Sequence, residues 1–352
     1  MEHAPAPRRR RALPCTVLSS ALCAGLLAGC GDPGPTLHEP WFGGYVNATA
    51  YPVYDFAAEA AGRSHVVLGF VVADPEDDCT PSWGGYYGLE DAATDLDMDG
   101  RVTAFRDGGG EVAVSFGGAA RDELATACTD REQVYAAYRD VVDRYDLDTV
   151  DFDIEMDDLE NYEANTRRAE AVARLQEDRP HDDPLEVWLT LPAGLAGLEE
   201  SSQDVVAQML GAGVELAGVN IMTMNFDEGK PASQSEYDAS TEAARSVHAQ
   251  VKDLYAEAGQ QLSDELAWNR MGLTPMIGQN DVSAEVLDVE AAEQLNSFAR
   301  EHGLGRVSFW SLNRDRACGA DDPDPQEAND FCSGIEQQRG EFTRALGEGF
   351  ED

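Results

Sequence analysis

Lysine is nearly missing from this chain. Its 352 residues include two, Lys230 and Lys252, against 67 acidic residues, and the formal net charge is −42. So acidic a surface repels polyphosphates and anionic membrane surfaces, which argues against nucleic acid as a partner and leaves a solvated acidic exterior. Histidine is scarce too: there are six, with no H-E-x-x-H and no paired spacing, so no metal site is expected. No C-x-x-C occurs, and no G-x-S-x-G elbow of a serine hydrolase. Gly108-Gly109-Gly110 precedes a strand candidate instead of following one, the wrong side for a phosphate cradle, so no nucleotide cofactor is expected either. After residue 30 no apolar run approaches a membrane-spanning length.

What is present begins at the N-terminus. Arg8 to Arg11 form a basic region, and the apolar stretch after them is too short to span comfortably. It ends in Leu27-Ala28-Gly29-Cys30, small residues before a cysteine, which resembles the lipobox of bacterial lipoproteins. Residues 1–29 are therefore expected to be a signal peptide and Cys30 the lipidated N-terminus. The protein would sit outside the cell membrane on acyl chains or be secreted. Residues 30–40 form a Gly/Pro tether, and residues 41–352 a single domain. Four cysteines follow, Cys79, Cys128, Cys318 and Cys332, an even number that suggests two disulfides with three possible connectivities. Closeness in sequence favours Cys318–Cys332, which leaves Cys79–Cys128. Asp95-x-Asp97-x-Asp99-Gly100 looks like half a calcium loop, but its twelfth position is Arg106, so it reads as a charged turn before a helix.

Eight β-type runs lie at 41–48, 65–73, 111–118, 149–155, 186–192, 218–225, 270–278 and 305–313. Amphipathic stretches such as 135–145, 165–178 and 290–302 separate them. Eight alternations of strand and helix predict an α/β fold, a parallel (β/α)8 TIM barrel in which the active site lies at the C-terminal ends of the strands. Nothing in the pattern asks for a second copy, and a monomer is expected.

The fourth run, LDTVDFDIEMDD, carries the chemistry. Side chains alternate along a strand, so Asp151, Asp153 and Glu155 share one face, each pair roughly 6.6 to 7 Å apart. Val150, Phe152 and Ile154 take the other face and pack. A solvated edge strand, a metal site and a catalytic acid ladder are the three ways to carry such a row. Within a barrel interior the acids cannot all be ionised at neutral pH, so protons must be shared, and a neutral Glu at the strand end is what a general acid requires.

The pattern Asp148-x-x-Asp151-x-Asp153-x-Glu155 resembles the D-x-x-D-x-D-x-E signature of family 18 glycoside hydrolases, the chitinases. Ser115-Phe116-Gly117-Gly118 is similar to the family's S-x-G-G. Met222-Thr223-Met224-Asn225-Phe226, Thr274 to Asp281, and Trp310 to Asp315 resemble strands six, seven and eight of its bacterial and archaeal subgroup. The likeness runs from about Trp41 to the C-terminus. It implies substrate-assisted, retaining cleavage of β-1,4-linked N-acetylglucosamine in chitin or chitooligosaccharides, the family being an exception to the two-carboxylate scheme. Glu155 would protonate the glycosidic oxygen, and the sugar's own acetamide oxygen would attack. Asp153 would hold the acetamide N–H, and Asp151 would share a proton with Asp153. Asp148, of opposite parity, would support the strand's start.

Trp310 would form the floor for the reacting sugar. Tyr45, Ser115, Met222, Met224, Asn225, Gln279 and Asp281 would line the substrate site. The chain departs from the subgroup at Asn225 and Phe226, where aspartate and tyrosine are usual. Losing the tyrosine hydroxyl is expected to cost on the order of 10² to 10³ in rate unless Tyr45, Tyr86 or Tyr87 replaces it. The cluster Trp83-Gly84-Gly85-Tyr86-Tyr87 reads equally as a sugar subsite or as loop packing. A surface lectin that captures chitooligosaccharides without cleaving them, and an endo-β-N-acetylglucosaminidase, remain the alternative functions.

Overall fold

The computed structural model describes residues 36–59, 65–180 and 183–350. Cys30, residues 1–29 and the start of the tether lie outside the described residues. Eight strands close a ring: β1 (Trp41–Asn47), β2 (His65–Asp74), β3 (Glu111–Gly117), β4 (Thr149–Asp153), β5 (Glu186–Pro192), β6 (Leu216–Met222), β7 (Met271–Thr274) and β8 (Arg306–Val307). Each pairs in parallel with the next, and β8 returns to β1. A helix follows every strand, among them Arg131–Tyr145, Tyr162–Glu177 and Val289–His302, which the amphipathic stretches predicted. The single-domain (β/α)8 barrel expected from the alternation is the fold observed.

β7 and β8 are much shorter than the runs at 270–278 and 305–313, and β4 ends at Asp153, two residues before Glu155. Pro275 has no N–H to offer the ladder, and past Val307 the pairing continues only as separate bonds, such as Ser308 N to Leu273 O (2.8 Å) and Trp310 N to Pro275 O (2.9 Å). The antiparallel pair Gly278–Gln279 with Val286–Leu287 and a hairpin beside β2 were not expected. The end of β2 pairs antiparallel with Asp77–Trp83, which pairs in turn with Tyr87–Gly88. This hairpin takes Trp83 out of the sugar-binding candidates: it is fully buried, and its indole donates to the Tyr145 hydroxyl at 3.0 Å.

Strand alternation divides the core into two. Val150, Phe152 and Ile154 are fully buried in the large apolar layer between sheet and helices. Inside the ring a smaller cluster, Trp41, Tyr45, Val67, Ala113, Trp188 and Ala217, closes the barrel, and the polar residues of the site lie inside the ring with it. The calcium-like segment is a charged turn as expected. Asp97 precedes the helix Met98–Asp107, and Asp99 accepts from Arg144 Nε and Nη2 at 3.1 and 2.9 Å.

Both disulfides form in the pairing that closeness in sequence favoured, Cys79–Cys128 and Cys318–Cys332. The first ties the hairpin to the loop after β3. The second closes the loop after β8, in which Asp330 accepts from Asn47 Nδ2 (3.0 Å) at the end of β1. The closed loops span 49 and 14 residues. Replacing either pair by serine should therefore lower stability by about 3 to 4 kcal/mol, less any native strain relieved. Urea unfolding of the two variants against the parent measures this.

Candidate active site

The acid ladder runs up the barrel interior from a fully buried base. Asp151 is enclosed by four donors. Tyr45 hydroxyl (2.8 Å) and Ser115 Oγ (2.6 Å) donate to Oδ2, while Thr190 Oγ1 (2.7 Å) and Arg306 Nη1 (2.6 Å) donate to Oδ1. Arg306 is also fully buried, reaching inward from β8, and Nη2 donates to Tyr45 at 2.9 Å and Nε to Ser308 at 2.7 Å. Its guanidinium lies 4.9, 5.4 and 5.6 Å from the ring centres of Trp41, Tyr45 and Trp188, whose π faces offset part of its lost hydration. Burial would depress its pKa, but Asp151 and Tyr45 outweigh that and hold it protonated. Thr190 is braced in turn by Asn220 (2.9 Å), and Asn220 by Thr274.

These bonds correct two expectations. Both oxygens of Asp151 are occupied by donors from other strands, so its partner is Arg306 and not Asp153. Tyr45 and Ser115 lie beneath the site, 1% and 0% exposed, with their hydroxyls committed to Asp151. They brace the carboxylate and have no surface left for a substrate, so Tyr45 cannot supply the missing tyrosine hydroxyl.

One step higher, Asp153 is 4% exposed, and its Oδ1 finds no donor in the protein. Burial first, then the charges of Glu155 and Asp151, push its carboxyl well above the ordinary aspartate range. The two carboxyls act on each other in opposite senses, Glu155 raising Asp153 and Asp153 lowering Glu155, the direction of an Asp153 proton turned toward Glu155. Glu155 is half-buried at the strand end. Burial raises its carboxyl to about 7, against the lowering effect of the Asp153 bond and with help from Asp158 and Asp281. The S-x-G-G segment explains how β3 lies so close. At Gly117, φ is +100° and a Cβ would fall 2.2 Å from the Asp153 carbonyl, while Gly118 N donates to that same oxygen at 2.8 Å.

Around this row the remaining candidates divide. Trp310 is half-buried and stacks on Phe70, 5.6 Å and 15° apart, a partner the sequence reading missed. Asp281 is exposed and accepts from Asn225 Nδ2 at 2.8 Å. An aspartate at position 225 would place two carboxylates face to face, so asparagine suits this pair. Phe226 is buried in the large apolar layer, its N–H held by Glu285 Oε2 at 2.9 Å. Gln279 is 8% exposed and donates its amide to the carbonyls of Asn280, Ser283 and Glu285. It shapes the loop after β7 and does not face a ligand. Met222 is buried at the end of β6, and Met224 is half-buried. Asp148 lies at the other end of β4, paired with Arg179 at 2.7 Å.

Reading the strand face alone could have found Arg306, which has the parity of Trp310, and Thr190, which has that of Trp188. Seven large apolar side chains are exposed among the described residues. Six of them, Tyr51, Val53, Tyr86, Met156, Tyr162 and Val286, follow the C-terminal ends of strands. Apolar surface is thus concentrated on the face that carries the acid row. No cluster of metal-ligating side chains is found among the described residues.

Comparison with known proteins agrees with this geometry. The model of glycosyl hydrolases family 18 matches residues 42–268. A probable bifunctional chitinase/lysozyme of Escherichia coli is 32% identical over 296 residues, 81% of this chain and 32% of its own length. Endochitinase 11 of Metarhizium anisopliae is 31% identical over 296 residues, 81% of this chain and 54% of its own. The chain therefore spans about a third and about half of the curated relatives it matches. Among solved structures, the catalytic domain of a hyperthermophilic chitinase from Pyrococcus furiosus has a TM-score of 0.74 at 27% identity, covering 90% of this chain and 96% of that one. Active domain 2 of the thermostable chitinase of that organism, solved as catalytic-site mutants with chito-oligosaccharides, matches with the same TM-score at 26% identity and the same coverage.

Proposed function

Because this chain belongs to glycosyl hydrolase family 18, we propose that it hydrolyses β-1,4-linked N-acetylglucosamine in chitin or chitooligosaccharides, retaining the anomeric configuration. The observation that carries the reading is the row of Asp151, Asp153 and Glu155 up the barrel interior, in which Arg306 pairs with Asp151 and burial raises the carboxyls of Asp153 and Glu155. With its carboxyl raised to about 7, Glu155 is protonated in a large fraction of molecules at neutral pH and can donate to the glycosidic oxygen. Asp153, with a free buried oxygen, is placed to accept the acetamide N–H and to stabilise the positive charge that develops when the acetamide oxygen attacks. Trp310 on Phe70 offers a flat apolar floor. The acid then returns as base to activate water.

A proton donor tuned to neutral pH favours turnover over capture of the sugar alone, since binding needs no acid. Burial of Phe226 and the Asn225–Asp281 bond leave the acetamide carbonyl without the usual tyrosine partner, so the rate is expected to lie below that of relatives that have it. We read the protein as a monomer exported and anchored through Cys30, and its two disulfides support an oxidising compartment.

The test is hydrolysis of a soluble N-acetylglucosamine oligomer, at low and high salt, followed by proton NMR of the reducing ends. Release of the β-anomer first is the expected result, with activity falling as pH rises through about 7 because Glu155 then loses its proton. Binding without cleavage would overturn the enzymatic reading in favour of the lectin. Cleavage with release of the α-anomer would overturn substrate assistance.

A further inference from the structure

A second fully buried ion pair lies behind the loop that carries Glu155. Glu123, in the loop after β3, and Arg168, on the helix Tyr162–Glu177, meet with Nη2–Oε2 2.7 Å and Nε–Oε2 3.0 Å, both 0% exposed. Ala125 N donates to the same oxygen at 2.8 Å, the Tyr138 hydroxyl donates to the other, and Arg168 also donates to Asn165. Burying two charges is costly, and a pair outside the catalytic row does no chemistry of its own. It does hold the next link. Glu123 N donates to Asp158 Oδ2 at 3.1 Å, and Asp158 N donates to the Glu155 carbonyl at 3.1 Å. Asp158 is 6% exposed. Between it and Glu155, Met156 adopts φ +50° and ψ −131°, a region that side-chain-bearing residues rarely occupy. A loop in that conformation persists only where its surroundings hold it.

We propose that Asp158 is a positioning residue for the catalytic acid: it fastens the Glu155 loop to the Glu123–Arg168 pair and places a fixed negative charge beside the acid. The proposal rests on the reading of Glu155 as proton donor. The charged groups facing Glu155 are Asp153 from β4, Asp281 from the loop after β7, and Asp158. Those facing Asp158 are Glu123, Arg168 and Glu155. Burial first, and then the charge of Glu123, push the Asp158 carboxyl upward, while the Glu123 N–H and the Arg168 guanidinium favour its charged form. An anion there opposes loss of the Glu155 proton, so the acid remains protonated to higher pH. Asparagine at 158 keeps the shape and can still accept from Glu123 N, but it carries no charge.

The test uses the full chain as parent, Asp158→Asn and Asp158→Glu. The Glu155 carboxyl is titrated by carbon-13 NMR, assigned by its loss in Glu155→Gln, and kcat/KM for a soluble N-acetylglucosamine oligomer is measured across pH. In Asp158→Asn the Glu155 titration and the basic limb of the profile should both move to lower pH, with a loss of roughly threefold on that limb and little change on the acid side. Asp158→Glu should keep the parent's basic limb. An unchanged Glu155 titration in folded Asp158→Asn would overturn the proposal, as would an equal loss at every pH. Asp158→Ser removes the same charge and decides the question if the asparagine variant does not fold. If the parent cleaves no oligomer, the reading of function fails, and the titration alone still decides the role of Asp158.

Discussion

Glu155→Gln should abolish hydrolysis, with a loss of at least about 10²-fold and up to about 10⁴-fold, the usual contribution of a positioned acid. Glutamine keeps the volume and a hydrogen bond to Asp153 but has no proton to give. Sugar binding should survive, so titration of the oligomer into the variant, by calorimetry or tryptophan fluorescence, separates chemistry from recognition. The same substitution has an effect on stability whose sign follows from proton binding. Burial, Asp158 and Asp281 raise the Glu155 carboxyl from 4.5 to about 7 in the folded protein. The native state therefore holds a proton that the unfolded chain has released, and stability falls as pH rises from about 4.5 through 7. The glutamine amide does not titrate. Above about pH 7 the variant should melt higher than the parent, and below about pH 4 the two should differ little. A variant that retains full activity would remove Glu155 from the mechanism, and a variant that melts lower at alkaline pH would contradict the cost of its charge.

Arg306→Met should have the largest effect on the fold. Removing the guanidinium leaves Asp151 buried with three neutral donors and no counter-charge, and breaking a fully buried pair typically costs about 3 to 5 kcal/mol. The double variant Asp151→Asn with Arg306→Met should recover much of that loss, because the charge and its partner leave together. Urea unfolding of the parent, the single and the double variants measures the difference. Activity supplies the complementary readout. With Arg306 absent, the negative charge of Asp151 acts unopposed on Asp153, so Asp153 should keep its proton to higher pH and donate less readily to Glu155. A stable Arg306→Met variant with an unaltered pH profile would show that Arg306 has no part in distributing the protons of the row.

Much of this protein could be read from the residues in order. Period-two alternation in β4 places acids on one face and Val150, Phe152 and Ile154 on the other, and any sheet with one apolar layer must bury that second face. Eight such strands separated by amphipathic stretches leave few topologies but the barrel, and the barrel puts Glu155 at the catalytic rim. Parity alone could not assign partners. Asp151 and Arg306 are 155 residues apart, and only ring closure, which sets β8 beside β1, brings the guanidinium under the ladder. That contact makes Arg306, and not Asp153, the partner of Asp151. Tyr45 and Gln279 were misplaced for the same reason: their residue types suit a sugar, but burial depends on what packs over them. Exposure, counter-charge and the identity of the protonated carboxyl depend on distances between strands far apart in the chain, and those exist only once the barrel has closed.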